Sequence, residues 1–252
     1  MLTVTSAKFA LVEELFKYKE ENFKLKLFPG YTLDQWGIKA HNRPWIDAVG
    51  NFRPKEKIIE VGGAYSTLPE YLMDKYQLEA WVGDDFGIKT REKLWSRWGN
   101  PKEHARKHTS VKYVFEPFGD FSSQYPDNYF DCIFSVSTLE HISHNKIVDV
   151  FKDMNRCTKK NGRQLHTIDI NTLTVFDSFK QLINNNSQIK MWEKIIWKSG
   201  IRIGTKFPSV LELLDRRILV ESPDVVFRFY PPNNAAKSYG PNASLLITIE
   251  DV

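Results

Sequence analysis

Lys57-Ile58-Ile59-Glu60-Val61-Gly62-Gly63-Ala64-Tyr65-Ser66 is the stretch on which the fold turns. Its apolar run is short and is cut off by two glycines, so 57–61 reads as a buried strand, with a helix following over 66–76. Downstream the pattern repeats. A second apolar run at 80–82 ends in Gly83-Asp84-Asp85, a third covers 111–115, and a fourth, apolar on both faces, covers 130–136. A helix over 145–157 leads through Lys160-Asn161-Gly162 into a fifth strand at 163–170. Short apolar runs separated by helical segments predict βα repeats and a parallel sheet covered on both faces, an α/β fold.

Upstream of the core, Phe9, Val12, Leu15 and Phe16 recur at helical spacing, which predicts an amphipathic helix over 6–18. More helix is expected within 33–49, preceded by Pro29-Gly30, broken near Pro44 and closed by Gly50-Asn51. Beyond the fifth strand, 171–220 is mostly helical in pattern. Two late strands, 225–230 and 243–249, are expected to join through Pro231-Pro232-Asn233-Asn234.

At 252 residues the chain suits one domain with accessory elements. The 35 Lys and Arg against 31 Asp and Glu leave a formal charge of +4, with the signs interleaved. The densest basic stretch, 89–107, also carries Glu92 and Glu103 and lacks the regular aromatic interleaving of a base-stacking platform, so a nucleic-acid partner is not expected. Cys132 and Cys157 have no C-x-x-C spacing and read as buried thiols. No window approaches the roughly 18 apolar residues of a membrane span, and the first ten residues lack the pattern of a signal peptide. The expectation is a protein of the cytoplasm without membrane contact.

In open parallel sheets ligands bind beyond the carboxyl ends of the strands, where strand order reverses. After the first strand, Gly62-Gly63 lets the backbone turn sharply and approach a ligand, beside the free N–H groups of the next helix. About twenty residues on, Asp84-Asp85 stands where a carboxylate can accept hydrogen bonds from ribose hydroxyls. A third segment begins with Gly119-Asp120-Phe121 and continues through Tyr125-Pro126-Asp127-Asn128-Tyr129-Phe130-Asp131 to Leu139-Glu140-His141-Ile142.

This last combination resembles the class I S-adenosylmethionine-dependent methyltransferases, especially the small-molecule and glycan group. So does Met154-Asn155-Arg156-Cys157-Thr158-Lys159-Lys160-Asn161-Gly162-Arg163, which is similar to that family's Arg-x-Leu-x-Pro-Gly-Gly turn. The likeness covers 57–170. It implies a doubly wound, mostly parallel, seven-stranded Rossmann-like sheet with N-terminal helices and a helical insertion after the fifth strand. Within one domain, 1–52 would be a helical lid, 53–170 the cofactor-binding core, 171–220 a substrate-side insertion and 221–252 the closing strands.

For S-adenosylmethionine, the resemblance implies that Glu60, Gly62, Gly63 and Ala64 lie beside the methionine moiety. Asp85 would hold the ribose with Asp84 as its stand-in, Asp120 and Phe121 would flank the adenine, and Ser135 and Val136 would line the floor beneath the sulfonium. The sequence departs from the pattern in places. Ala64 and Ser66 replace the later glycines of the first loop, while Thr158, Lys160 and Asn161 replace leucine, proline and glycine of the later turn. Asn tolerates positive φ, so that last loss is mild.

Methyl transfer is an in-line displacement at an activated carbon, so few residues are obligatory. The candidate bases are His141, after the fourth strand, and Asp169, at the end of the fifth. His166 lies deeper in the same strand and receives no role. Some relatives bind a metal through Glu-x-x-Glu-His, but Ser137 occupies the first position here, so no metal is expected. Tyr31 and Trp36 either close over substrate or pack on the sheet. Trp192, Trp197, Arg202 and Arg216 suit a sugar or anionic metabolite, and equally suit ordinary packing. The preferred acceptor is a hydroxyl of a glycan, sugar or natural-product intermediate. A nicotinamide-dependent oxidoreductase would require G-x-G-x-x-G, absent from 62–67. The other rival is a methyltransferase-like scaffold that has lost catalysis.

Overall fold

Lys57–Val61 (β2) is apolar on both sides because it sits in the middle of a sheet with both faces covered. It pairs in parallel with Glu79–Gly83 (β3) on one side and Phe130–Val136 (β5) on the other, with Ile59 opposite Trp81 and Ile133. The computed structural model describes residues 1–20, 38–85, 99–172, 179–220 and 242–252. The remaining strands of that set are Leu2–Phe9 (β1), Lys112–Val114 (β4), Thr158–Asn171 (β6), Arg202–Ile203 (β7) and Asn242–Asp251 (β8). Their order is β4-β3-β2-β5-β6-β8-β1-β7, so the described sheet has eight strands where seven are predicted. The chain winds outward from β2 through β3 to β4, then returns to β5 on the opposite side of β2. Strand order therefore reverses between β2 and β5. β8 runs antiparallel between β6 and β1.

The expected helix over 6–18 is corrected at its start. Residues up to Phe9 form β1, and the helix begins at Val12 (α1, Val12–Glu20). Thr3-Val4-Thr5 is a β-branched run that suits a pleated strand, and Thr3 and Val4 are buried between β8 and β7. Ile38–Val49 (α2) also departs from expectation: Pro44 lies inside it without ending it. The segment 1–52, predicted as a helical lid, thus contributes a full strand to the sheet. Tyr31, Trp36 and the strand and turn expected within 225–234 lie outside the described residues.

Two apolar layers follow from strand alternation. Ile58, Val82, Phe134, Leu165 and Leu246 pack under α1, α2 and Leu68–Tyr76 (α3). Ile59, Trp81, Ile133, Ile168 and Ile247 pack under Ile147–Cys157 (α5) and Phe179–Lys198 (α6). A short helix, Pro101–Lys107 (α4), connects toward β4. In α5, Ile147, Val150, Phe151, Met154 and Cys157 form the buried stripe. Truncating a large side chain in either layer is expected to cost about 2–5 kcal/mol. Cys132 and Cys157 are buried free thiols, and burial pushes each up to about 12.

Candidate functional site

The loop leaving β2 is shaped by its neighbours. Gly62 sits at φ +71°, and a Cβ there would lie 2.0 Å from Thr138 Cγ2, so the end of β5 imposes this glycine. Gly62 N–H donates to Gly83 O at 2.8 Å, and Thr138 Oγ1 donates to Gly62 O at 3.3 Å. Gly63 is nearly as tight, its Cβ position lying 3.1 Å from Glu60 Cγ and from Val82 Cγ1. Glu60 itself is buried. Ala64 adopts φ 37° and donates its N–H to Asp84 Oδ2 at 2.9 Å. The two acids after β3 thus differ: Asp84 braces the loop, and Asp85 follows it at the strand end, half-buried.

Past β4, Gly119 (φ +94°) and Phe121 (φ 52°) turn the chain so that Asp120 and the ring of Phe121 are exposed. Lys146 Nζ lies 3.1 Å from Asp120 Oδ1. Beneath this loop, Asp153 and Arg156 of α5 hold its backbone.

At the end of β5, the structure separates residues that the sequence groups together. Ser135 is fully buried and turned toward α5, with its Oγ 2.9 Å from His166 Nδ1; His166 Nε2 lies 3.2 Å from Gln164 Oε1. Burial pushes His166 down to about 3, so it stays neutral. Ser135, expected to line the floor, is thus bonded within the core to His166. Val136 ends the strand, and Ser137, at φ 47°, takes the edge.

Asn42 Nδ2–H donates to Ser137 Oγ at 3.1 Å, Asn42 Oδ1 faces His41 Nδ1 at 3.4 Å, and His41 Nε2 faces Glu14 Oε2 at 3.0 Å. A buried polar chain thereby links α1 and α2 to the central strand. Burial alone would raise Glu14, but hydrogen bonds from His41, Lys8 and the Leu11 N–H bring it down to about 2.

Beyond β6 a cavity of about 220 Å³ lies between the loop after β5 and α6. Glu140 and Asp169 contribute to its walls with His144, Met191, Trp192 and Ile147. Asp169 is thus beside a cavity, whereas His141 is half-exposed, with Nε2 3.9 Å from Glu140 Oε1, and is absent from the lining. Trp192 is buried and lines the cavity, but Trp197 is 65% exposed and points outward. Arg202 and Arg216 are exposed too.

Residues 70–165 match the model of a methyltransferase domain. Solved structures with the same fold include phosphoethanolamine N-methyltransferase 2 of Haemonchus contortus in complex with S-adenosyl-L-methionine, at 15% identity and a TM-score of 0.53. That alignment covers 94% of this chain and 56% of the nematode chain, so the present chain spans little more than half the length of that relative. A candidate sarcosine dimethylglycine methyltransferase from Galdieria sulphuraria aligns over 94% of this chain and 97% of its own, at 12% identity and a TM-score of 0.51. Geranyl diphosphate C-methyltransferase from Streptomyces coelicolor A3(2) aligns over 85% and 78%, at 11% identity and a TM-score of 0.50. No curated protein sequence gives a significant match. Residues 70–165 thus match a methyltransferase domain, and the fold is the one shared by these methyltransferase structures.

In this fold, the loops after β2, β3 and β4 and the end of β5 occupy one edge of the sheet. Among the described residues, no group of three or more His, Cys, Asp or Glu side chains is disposed to hold a metal, and no helix is long and apolar enough to cross a membrane. Three features of the site escape sequence reading. Ser137 follows the end of β5 in a left-handed turn, Glu140 lines the cavity, and Asp153 supports the loop of Asp120. The signal for the first is the polar run His41-Asn42-Arg43, fully or almost fully buried within α2. Asp153 looks like an ordinary solvent-facing acid in the sequence of α5.

Proposed function

We propose that this protein binds S-adenosylmethionine along the edge formed by the loops after β2, β3 and β4 and transfers its methyl group to a small acceptor in the cavity beside Asp169. The observation that carries this reading is the convergence on one edge of a close-packed glycine turn at Gly62, a carboxylate at Asp85 and an exposed aromatic ring at Phe121. These residues fit the group. The Gly62-Gly63 backbone suits the methionine end, Asp85 accepts from ribose hydroxyls, and Asp120 accepts from the adenine amine while Phe121 lies against the base. Asp84 braces the loop through the Ala64 N–H. Bound there, the cofactor supplies a methyl on a sulfonium, already activated for displacement.

The acceptor atom in our reading is a hydroxyl oxygen of a sugar, glycan or natural-product intermediate. Asp169 takes the hydroxyl proton as the new C–O bond forms. It is favoured over His141 because it lines the cavity while the imidazole is largely solvent-facing. Val136, ending the central strand, lies on the floor of the same edge. Proteins of this fold named for N- and C-methylation support a small-molecule acceptor in general. The free buried thiols suit a reducing compartment, the cytoplasm.

Calorimetric titration with S-adenosylmethionine, S-adenosylhomocysteine and NAD tests the cofactor assignment. Micromolar binding of the first two, none of NAD, and loss of binding in Asp85→Ala is the expected result. Absence of binding by the unaltered protein would overturn the assignment and favour a catalytically inactive scaffold.

A further inference from the structure

Residues 119–121 present an exposed aromatic ring and an exposed carboxylate from a backbone that is strained at Phe121, a non-glycine residue in the left-handed region. Such a conformation persists only where its surroundings enforce it. The enforcing group is the carboxylate of Asp153, fully buried in α5. Its Oδ2 accepts the N–H of Gly119 at 2.8 Å and of Phe121 at 3.2 Å, so the amides on either side of Asp120 converge on one oxygen. Its Oδ1 accepts from Arg156 Nε at 3.0 Å and Nη2 at 2.7 Å. Arg156 carries the tie further along the same loop, donating to Tyr125 O at 2.8 Å, to Ser122 O at 3.3 Å and to Asp127 Oδ1.

Packing agrees with the hydrogen bonds. A Cβ on Gly119 would lie 2.9 Å from Val150 Cγ2 and 3.0 Å from Val150 N, so the loop is drawn down onto α5 at the point where the carboxylate reaches it. Burying a charge is costly unless it is fully paired, and both oxygens of Asp153 are filled, one by the loop and one by Arg156. Fixing the amides at 119 and 121 leaves Asp120 little more than its side-chain rotamer to adjust.

On the reading that Asp120 and Phe121 meet the adenine, we infer that Asp153 and Arg156 are positioning residues that set selectivity for an adenine base. They act through the loop and do not touch the ligand. Neutralising Asp153 removes the charge-assisted half of the tie, and Phe121 then relaxes toward an ordinary conformation, carrying Asp120 away from the exocyclic amine.

The test compares S-adenosylhomocysteine with S-inosylhomocysteine, in which an oxo group replaces the adenine amine, by calorimetric titration of the full chain. The unaltered protein should prefer the adenine ligand by about tenfold or more. In Asp153→Asn, affinity for S-adenosylhomocysteine should fall about tenfold, and the preference should shrink to about threefold or less. Arg156→Lys should give the same change in smaller measure, with melting temperatures reporting the fold separately. A folded Asp153→Asn protein that keeps both affinity and preference would overturn the inference. Should that variant fail to fold, an unchanged preference in Arg156→Lys overturns it instead. Failure of the unaltered protein to bind either ligand would reject the cofactor assignment itself, a distinct outcome.

Discussion

The two ends of the candidate ligand edge are constructed on different principles. Around β2, β3 and β4, backbone positions are fixed by side chains arriving from other elements: Thr138 against Gly62, Asp84 on the Ala64 N–H, Asp153 on the Gly119 and Phe121 N–H groups. Beyond β6 there is a cavity whose described walls are side chains, among them Glu140, Asp169, Met191 and Trp192. A ligand read by backbone shape demands glycines, tight turns and paired acids, which leave marks in sequence. A ligand read by side chains leaves only a composition, and many compositions suit many ligands. This is why the first half points to a cofactor while the second half yields an acceptor class only.

The contrast can be broken first where the effect is largest. Gly62→Ala puts a methyl 2.0 Å from Thr138 Cγ2 and asks alanine to adopt φ +71°. Overpacking and the left-handed penalty together should cost about 3 kcal/mol, measured by denaturant unfolding. Thr138→Ser, which removes the clashing methyl, should recover part of that loss in the double variant. Equal losses with and without the serine would mean that the turn, and not the packing of β5 on β2, requires the glycine.

A second test sharpens the distinction from the other side. Asp169→Asn and Trp192→Phe alter cavity walls without touching the loops after β2 to β4. Both should leave S-adenosylhomocysteine affinity within about twofold, since no backbone contact to the cofactor edge changes. Once an acceptor is known, Asp169→Asn should lower kcat by about a hundredfold through loss of the base. A matching loss of cofactor affinity would show the two halves to be one site, energetically inseparable.

How far each half was legible follows from the same physics. β2, β3 and β5 are visible as apolar runs because both faces are covered, and Asn161 indeed takes the positive φ (62°) that its substitution for glycine suggests. β1 was hidden because Phe9, Val12 and Leu15 keep helical spacing across a strand-to-helix junction at Ala10-Leu11, a coincidence that overrode the β-branched Thr3-Val4-Thr5. Asp84 and Asp85 could not be told apart because both follow the end of β3, and only the fold brings the Ala64 N–H to Asp84. Ser135 and Ser137 would share a face in a continuing strand. The strand stops at Val136, and the left-handed turn at Ser137 sends the second serine elsewhere.

The smallest predicted effect concerns the chain that joins the N-terminal helices to the dividing line between the two halves. Glu14 is held at about 2 in the folded protein against its ordinary 4.5, despite the opposing pull of burial. A carboxylate depressed by folding contributes stability that is fully present above its unfolded value and disappears as pH falls through the folded one. The contribution should therefore be intact above about pH 5 and lost between 4.5 and about 2. With Lys8 and part of Glu14 open to solvent, it amounts to about 1 kcal/mol, or about 3 °C in Tm. Glu14→Gln should lower Tm by that much at pH 7, and the two proteins should converge on acidification, with cofactor affinity unaltered throughout. Convergence would identify the Glu14–His41–Asn42–Ser137 chain as a stabilising link that leaves the cofactor edge untouched. A drop in affinity would mean instead that Ser137, although fixed by side chains from the N-terminal helices, belongs with the backbone-shaped half, and the boundary between the two halves would move one strand further along the sheet.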